Sequence, residues 1–592
     1  MGRSAQLQRD LILKMKRYFS DLIVDFLQQQ NIEYVTFNPG ASFRGIHDSL
    51  VYREDSPSII MACHEEIAVA MAHGYYKASK NHMAVFLHAN VGLLHGSMAI
   101  FNAWCDRVPL LLIGGNGPLD AAKRRPWIDW IHTSQNIESA VKDFVKWCDQ
   151  PTSQKATIES LYRAVKLMNT EMQAPCYIAV DFDVQEQELE STAQLLPLTA
   201  AAPSRLPAAD TRFIEDLTDK LLSARMPVLI LDFSGREPTT VAPLISLAER
   251  VGMAVIDRGN RFNFPNTHPL NVSNVSAEAL KEADLILAIE VQDLAGALGS
   301  FLPVINGMPA TEGVTLITLG TNDTLASKWA ADYQQFVPVT QSVMADTLAS
   351  IEALDVSLAE AVKRYPSSGR VERMKYLEEH HKHARKEWSV CAQQLGMEGS
   401  EIHVAAAVSE IFQVMKNKEW VLTNTGSLTI DGWVKKIWDI ERPGSYLGLN
   451  GGGGLGYGLG ASIGAAIAHC NDDLLCIDLQ ADGDFLYTPS ALWTLSSYDV
   501  PLLIIMMNNR LYLNSTQHAE RIAKARDRTG DLSHVATSFY EAPVDFVTIA
   551  EGFGIKSFPR IERLGEIGEI IGEAAHYVMS QRKPALVEIL MK

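Results

Sequence analysis

Three stretches of this chain carry residue types at spacings that could do chemistry. The first is Ala481-Asp482-Gly483 with Asn508-Asn509 downstream, the second Asn falling 27 residues after the Asp. An Asp carboxylate, an Asn side-chain carbonyl and a neighbouring backbone carbonyl are hard oxygen donors. They suit Mg²⁺, which takes few protein ligands and completes its octahedron with phosphate and water. An Asp-Gly alone is an ordinary turn; the Asn pair at this separation adds the argument for a ligand. The second stretch is Cys63-His64-Glu65-Glu66, which opens a helical pattern with apolar Ile67, Met71 and Tyr75. On its own Glu65 reads either as a functional carboxylate or as a first-turn acid facing the helix dipole. The third is NGGGGLGYGLGASIGAAIAHC, Asn450–Cys470, in which Gly451, Gly453 and Gly456 satisfy GxGxxG. That is a dinucleotide fingerprint only behind a strand, and no clear strand precedes it.

These residues need elements to hold them. Short apolar runs alternate with helical patterns throughout, which predicts parallel sheets covered by helices on both faces. The strand candidates of a first series are 34–37, 59–61, 84–87, 110–113 and 176–180. A Pro- and Ala-rich linker follows, QLLPLTAAAPSRLPAAD (194–210), and then a second series at 227–232, 253–256, 285–289 and 315–319. The charged stretch 363–388, with YPSSGR, leads into an expected surface helix. The third series is 420–423, 474–479, 502–507 and 585–590. The fold class is therefore α/β, three consecutive doubly wound domains, with boundaries expected at 1–193, 205–360 and 375–592. Both the Asp482 and the Asn509 positions fall at carboxyl ends of strands, where open α/β sheets place ligands.

Composition sets the outer limits. The chain has 592 residues, 47% apolar, 21% charged and 8% aromatic, with mean hydropathy near zero. That is ordinary globular composition, against disorder or a disulfide scaffold. A net charge of −18 without a basic block disfavours a nucleic-acid partner. Seven cysteines without a CxxC pair read as thiols in a reducing compartment. No apolar run of membrane-spanning length occurs, and MGRSAQLQRDLILKMKRYF lacks a signal-type apolar core, so the expected location is cytoplasmic.

The Asp-Gly…Asn-Asn spacing resembles the diphosphate–Mg²⁺ motif of thiamine-diphosphate enzymes. Within it, SALWTLSSYDVPLLIIMMNN is similar to the benzoylformate decarboxylases and, more loosely, the acetolactate synthases. HEEIAVAMAHGYYKAS resembles the same family's HExxAxxMAxGYA segment. The resemblance implies thiamine diphosphate and Mg²⁺ as cofactors, with Asp482, Asn509 and the Leu511 carbonyl as metal ligands. It sets Gly483 and Asp484 beside the diphosphate, and Leu455, after Gly454, under the bent cofactor. It makes Glu65 the activating carboxylate. Such a group favours the imino tautomer of the aminopyrimidine, whose nitrogen then removes the thiazolium C2 proton. The resemblance also implies a homodimer at minimum, or a homotetramer. Two positions depart from the family pattern: Ala481 replaces Gly, and Asp484 replaces a small residue. A carboxylate at 484 repels a diphosphate unless its side chain turns away.

On the substrate side, FLHANVGLLHGSMAIFNAWCDRVPLLLIGG (Phe86–Gly115) looks like the equivalent decarboxylase segment, and NAWCDRVP also resembles benzaldehyde lyase. His88 then falls on an active-site histidine that moves protons. The Asn-Pro-Gly turn 38–40 is retained, but Ala41 stands where the decarboxylases carry a substrate-binding Ser. EVQDLAGALG offers no second active-site His, and Asn116 occupies a position where acetolactate synthases have Gln. Lys123-Arg124-Arg125 reads as a charged loop, His64 as a helix cap and His73 as a solvent-facing residue. DRGNRFNFPNTHPL resembles a connector that touches a nucleotide in some members, yet FAD is unlikely here. The expected activity is C–C bond cleavage or formation on a 2-oxo acid or aldehyde, of benzoylformate-decarboxylase type. The alternatives are an acetolactate-synthase-type carboligase, a 2-hydroxyacyl-CoA lyase, a nicotinamide-dependent dehydrogenase using the glycine run, or a catalytically silent relative.

Overall fold

The computed structural model describes residues 16–275, 277–321, 335–364, 368–397 and 401–591. Most of the N-terminal stretch read above, and part of YPSSGR, lie outside them. The described residues form three parallel sheets carried by two compact units. The first unit runs to Tyr76 and from Lys80 to Ser204; the second takes Lys77–Ser79 and Arg205 onward.

In the first unit the strands are β1 (Tyr34–Phe37), β2 (Ser58–Met61), β3 (Met83–Leu87), β4 (Leu111–Asn116), β5 (Trp147–Asp149) and β6 (Cys176–Asp181). They pair in the order β2-β1-β3-β4-β6-β5, every neighbour parallel. β3, β4 and β6 are buried along their whole length, as expected of strands covered on both faces. The helix Glu65–Ser79 starts where β2 has ended. His64 is its N-cap, accepting from Glu66 N–H through its side chain, and Lys80 ends it in the left-handed conformation. The helix Ala89–Cys105 starts one residue after β3 ends. Asn38, Glu65 and His88 are thereby all delivered to the carboxyl edge of one sheet.

The second unit holds two more sheets. One contains β7 (Pro227–Leu231), β8 (Ala254–Asp257), β9 (Leu285–Ile289), β12 (Thr315–Gly320) and β13 (Gln341–Met344), with a small antiparallel hairpin, β10 (Val304–Ile305) and β11 (Met308–Pro309), between β9 and β12. Its order is β13-β12-β9-β7-β8. The other contains β14 (Trp420–Asn424), β15 (Leu475–Ala481), β16 (Leu502–Asn508), β17 (Lys556–Ser557) and β18 (Ala585–Leu590), ordered β14-β15-β16-β18-β17. Residues 502–507 of β16 are all buried; each such large apolar side chain contributes about 1.5–3 kcal/mol by leaving water. The register pairs Ala481 with Met507, so Asp482 emerges beside Asn508.

The long buried strands follow the expected ranges to within a residue or two, except β4, which runs three residues further than expected, to Asn116. β5, β13, β17 and the hairpin were not anticipated; they are two to four residues long and mostly part-exposed. The charged stretch forms the helix Ser368–Met397, which buries Leu377 and His381. His73 corrects its expectation: it is fully buried, with Nε2 2.7 Å from Asp106 Oδ2. Its helix is buried on every side from Ile67 to Tyr76, so no solvent face is left for it. Among the described residues no helix is long and apolar enough to cross a membrane.

Candidate active site

At the carboxyl edge of the first sheet, Glu65 is 3% exposed. Its Oε1 accepts from Asn38 Nδ2 at 3.1 Å, and its Oε2 lies 3.3 Å from His95 Nδ1. His88 stands across Gly92 from it. A Cβ at position 92 would sit 2.9 Å from Glu65 Oε1 and 3.1 Å from the His88 Cβ. A side chain at position 92 would push Glu65 out of this arrangement. His88 Nδ1 is 2.9 Å from Ser42 Oγ, and the Ser42 N–H donates to the same nitrogen at 3.4 Å. Burial pushes the His88 pKa down from its ordinary 6.5, and His132 and Arg125 lower it further against the opposing charge of Glu65. The structure thus brings the two residues expected to act on protons into one site. It also supplies a hydroxyl at Ser42, one position beyond the Ala41 that breaks the pattern.

His64 and His95 stack with ring centroids 5.0 Å apart and approach Glu65 closely enough to share an ion. However, the lone pair of His64 Nδ1 is already taken by the Glu66 N–H at 3.2 Å. Lys123 pairs with Asp183, Arg124 donates to the Pro118 and Leu119 carbonyls, and Arg125 forms a bidentate pair with Asp129. The charged loop is consumed by its own contacts. Asn116 is buried and ties its turn to Ser134.

At the carboxyl edge of the third sheet, Asp482 is 2% exposed. Its Oδ1 accepts from Gly483 N–H at 2.8 Å, while its Oδ2 is buried without a hydrogen-bond partner. Burial raises its pKa to about 6, against the pull of nearby backbone amides. An unpartnered buried carboxylate oxygen costs free energy unless a cation or donor arrives. Asn509 Oδ1 accepts from Leu511 N–H at 3.0 Å, closing a turn that keeps both residues next to the Asp482 strand end. Asn508 Nδ2 donates at 2.7 Å to Glu588, which is fully buried and paired with Arg560 at 2.9 Å. The oxygens expected as ligands are thus gathered at adjacent strand ends, and their donor chemistry fits a hard divalent cation.

The glycine run forms a braced turn rather than a strand–turn–helix. Asn450 Nδ2 donates to the Gly454 carbonyl at 2.8 Å, and Asn450 Oδ1 accepts from Gly453 N–H at 2.7 Å. Gly456 has φ +88°, and the helix Gly458–Ala468 follows. Leu455 is half-buried between them. The Asp484 carboxylate is directed at this turn, accepting from Gly456 N–H at 2.8 Å and Gly458 N–H at 3.1 Å.

The model of the thiamine pyrophosphate enzyme N-terminal TPP binding domain matches residues 17–141, and that of the C-terminal TPP binding domain matches residues 425–589. The chain is a thiamine-diphosphate-dependent enzyme. This family reading agrees with whole-length relatives. A benzoylformate decarboxylase of Pseudomonas aeruginosa is 23% identical over 583 residues, covering 95% of this chain and 97% of that one. A probable chloroplastic acetolactate synthase of Oryza sativa subsp. japonica is 24% identical over 604 residues, covering 97% and 83%. The fold of the 4-hydroxybenzoylformate decarboxylase of Rhodococcus jostii RHA1 superposes with a TM-score of 0.75 at 21% identity, covering 97% of this chain and 99% of that one.

Sequence reasoning about this thiamine-diphosphate enzyme missed Ser42, His95, Gln480 and Glu588. Ser42, His95 and Glu588 act through partners 30 to 80 positions away, a relation that spacing does not carry, while Gln480 Nε2 donates to Asp484 four positions on. The Asn of the retained Asn-Pro-Gly turn was a usable signal: Asn38 is what holds Glu65.

Proposed function

We propose that this enzyme decarboxylates a 2-oxo acid in the manner of the benzoylformate decarboxylases, using thiamine diphosphate with Mg²⁺. The observation that carries it is the pairing of Glu65 and His88 across Gly92 at one sheet edge. Asp482 Oδ2, the Asn509 side-chain oxygen and the Leu511 carbonyl would hold Mg²⁺, with Gly483 presenting its backbone to the diphosphate. Gly454 and Leu455 would support the bent cofactor, and Asp484 stands next to that support. Bound thiamine diphosphate supplies the carbon nucleophile and the electron sink for decarboxylation.

The chain's own residues do the rest. Glu65, almost fully buried, holds a proton against the cofactor ring, with Asn38 fixing the orientation of its carboxylate. His88 is held from its Nδ1 side, which leaves Nε2 as the proton-carrying atom for the reacting carbon. Gly92, lacking a side chain, lets Glu65 and His88 stand close on either side of it. A homodimer is the smallest active unit in this proposal, and the seven cysteines, all free thiols, suit the cytoplasm.

Exchange of the C2 proton of added thiamine diphosphate, followed by NMR with Mg²⁺ present, tests the role of Glu65. Glu65→Gln should slow it at least about a hundredfold, the range of general acid–base contributions; exchange at the wild-type rate would remove the mechanism. A 2-oxo-acid panel that follows both CO₂ and coupled products then separates decarboxylation from acetolactate-type ligation.

A further inference from the structure

Position 484 carries an acid that is almost fully buried. Asp484 is 6% exposed, yet both its oxygens are engaged. Oδ1 accepts from Gly456 N–H at 2.8 Å, and Oδ2 accepts from Gly458 N–H at 3.1 Å and from Gln480 Nε2 at 2.7 Å. The space is made by glycine. A Cβ on Gly458 would fall 2.6 Å from Asp484 Oδ2 and 2.5 Å from Asn424 Nδ2. The carboxylate also meets the N-terminus of the helix Gly458–Ala468, where the helix dipole favours negative charge. Thr488, in the same short segment after β15, donates its hydroxyl to the Gly456 carbonyl at 2.9 Å. Gly456 is thus gripped at both its N–H and its C=O. On the other side of Leu455, the Asn450 side chain grips Gly453 and Gly454. One half-buried apolar side chain stands between two braces.

We propose that Asp484 is a positioning residue: together with Thr488 it clamps Gly456 and thereby fixes Leu455. This inference presupposes the proposed role of Leu455 beneath the cofactor. The acid at 484 is then not a defect in a diphosphate site. Its charge is met by two amides of the glycine turn and by Gln480 Nε2, and the turn gains a charge-assisted anchor that a small residue would not supply.

The test compares Asp484→Ser, Asp484→Asn and Thr488→Val. Amide exchange, measured by mass spectrometry on peptides covering 450–460 without cofactor, should quicken at least about tenfold in Asp484→Ser, the weight of one hydrogen bond to a charged group. Thr488→Val should quicken it as well. Asp484→Asn should recover part of the protection, since its oxygen still accepts from Gly456 N–H. With thiamine diphosphate and Mg²⁺, kcat should fall about tenfold in Asp484→Ser while the half-saturating cofactor concentration moves less than about threefold. Unchanged exchange in both Asp484→Ser and Thr488→Val overturns the clamp. So does retained kcat with tighter cofactor binding in Asp484→Ser, because the carboxylate would then act only against the diphosphate. The exchange measurement needs no cofactor, so it decides the clamp even if the wild-type chain proves not to use thiamine diphosphate.

Discussion

Ser42 Oγ accepts from Ala89 N–H at 3.0 Å, which leaves its own proton for His88 Nδ1. With the Ser42 N–H aimed at the same atom, Nδ1 is the lone-pair nitrogen and neutral His88 carries its proton on Nε2. Burial, then His132 and Arg125, disfavour the charged ring, so the neutral form is lost only as pH falls below the ordinary 6.5 of histidine. The acid limb of kcat/KM should therefore lie below pH 6.5, and His132→Ala should move it upward by removing a like charge. Ser42→Ala should lower kcat about tenfold, as expected for loss of orientation of one proton-transfer group, with a smaller change in KM. A pH profile that His132→Ala leaves unmoved would count against this account. The strand-end placement of Glu65, Asp482 and Asn509 was legible because each follows a short apolar run. Ser42 was not, since its partner is 46 residues away and the pairing exists only once β1 and β3 lie side by side.

Among the elements, β15, β16 and β18 do most of the positioning. β18 delivers Glu588 under Asn508, and the Asn508 side-chain oxygen in turn accepts from Arg510 N–H at 3.0 Å. A buried acid paired with Arg560 therefore steadies the turn that carries Asn509 and Leu511. Outer residues of this kind usually set metal affinity by about ten- to a hundredfold. Asn508→Ala should weaken Mn²⁺ binding in the presence of thiamine diphosphate by at least about tenfold, read by EPR titration. Affinity equal to wild type would mean the turn holds its shape unaided. Strands of this sheet were readable because a continuous apolar run such as LLIIMM has no other home than a doubly covered strand. β17 was not, being two residues that pair at an edge without an apolar signal.

Across the whole molecule, three sheets were legible in the alternation of strand and helix patterns. The second and third sheets fall in one unit. One reason is Asn266: its amide donates to the Lys435 and Trp438 carbonyls and accepts from Ile440 N–H. A single side chain pinning backbone about 170 residues away leaves no periodic trace. The segment after Ser204 is without regular structure up to the helix that begins at Thr211, and Arg205 in it is exposed. Brief trypsin treatment should cut first at Arg205, giving two fragments that correspond to the two units on a denaturing gel. The net charge of −18 would present no difficulty for an anionic cofactor if, as proposed, it is held through a metal ion and backbone amides.

The middle sheet ends in acids too, but each is satisfied from within. Asp232 accepts from Asn260 and Gln292, and Glu290 accepts from Thr321 and Thr347; Asp482 keeps one buried oxygen open. On the proposed function, the same scaffold divides its acids between durability and turnover. Glu290→Ala should lower the melting temperature, because it orphans two buried hydroxyls and an amide, and should leave cofactor affinity alone. Asp482→Ala should abolish metal binding yet raise the melting temperature of the metal-free chain, since it removes a carboxylate that folding holds in an uncomfortable place. Differential scanning calorimetry of the two variants reads the contrast directly. Heat tolerance could then be bought at the outer edge only by giving up catalysis, whereas at the middle edge selection for robustness and selection for activity pull the same way.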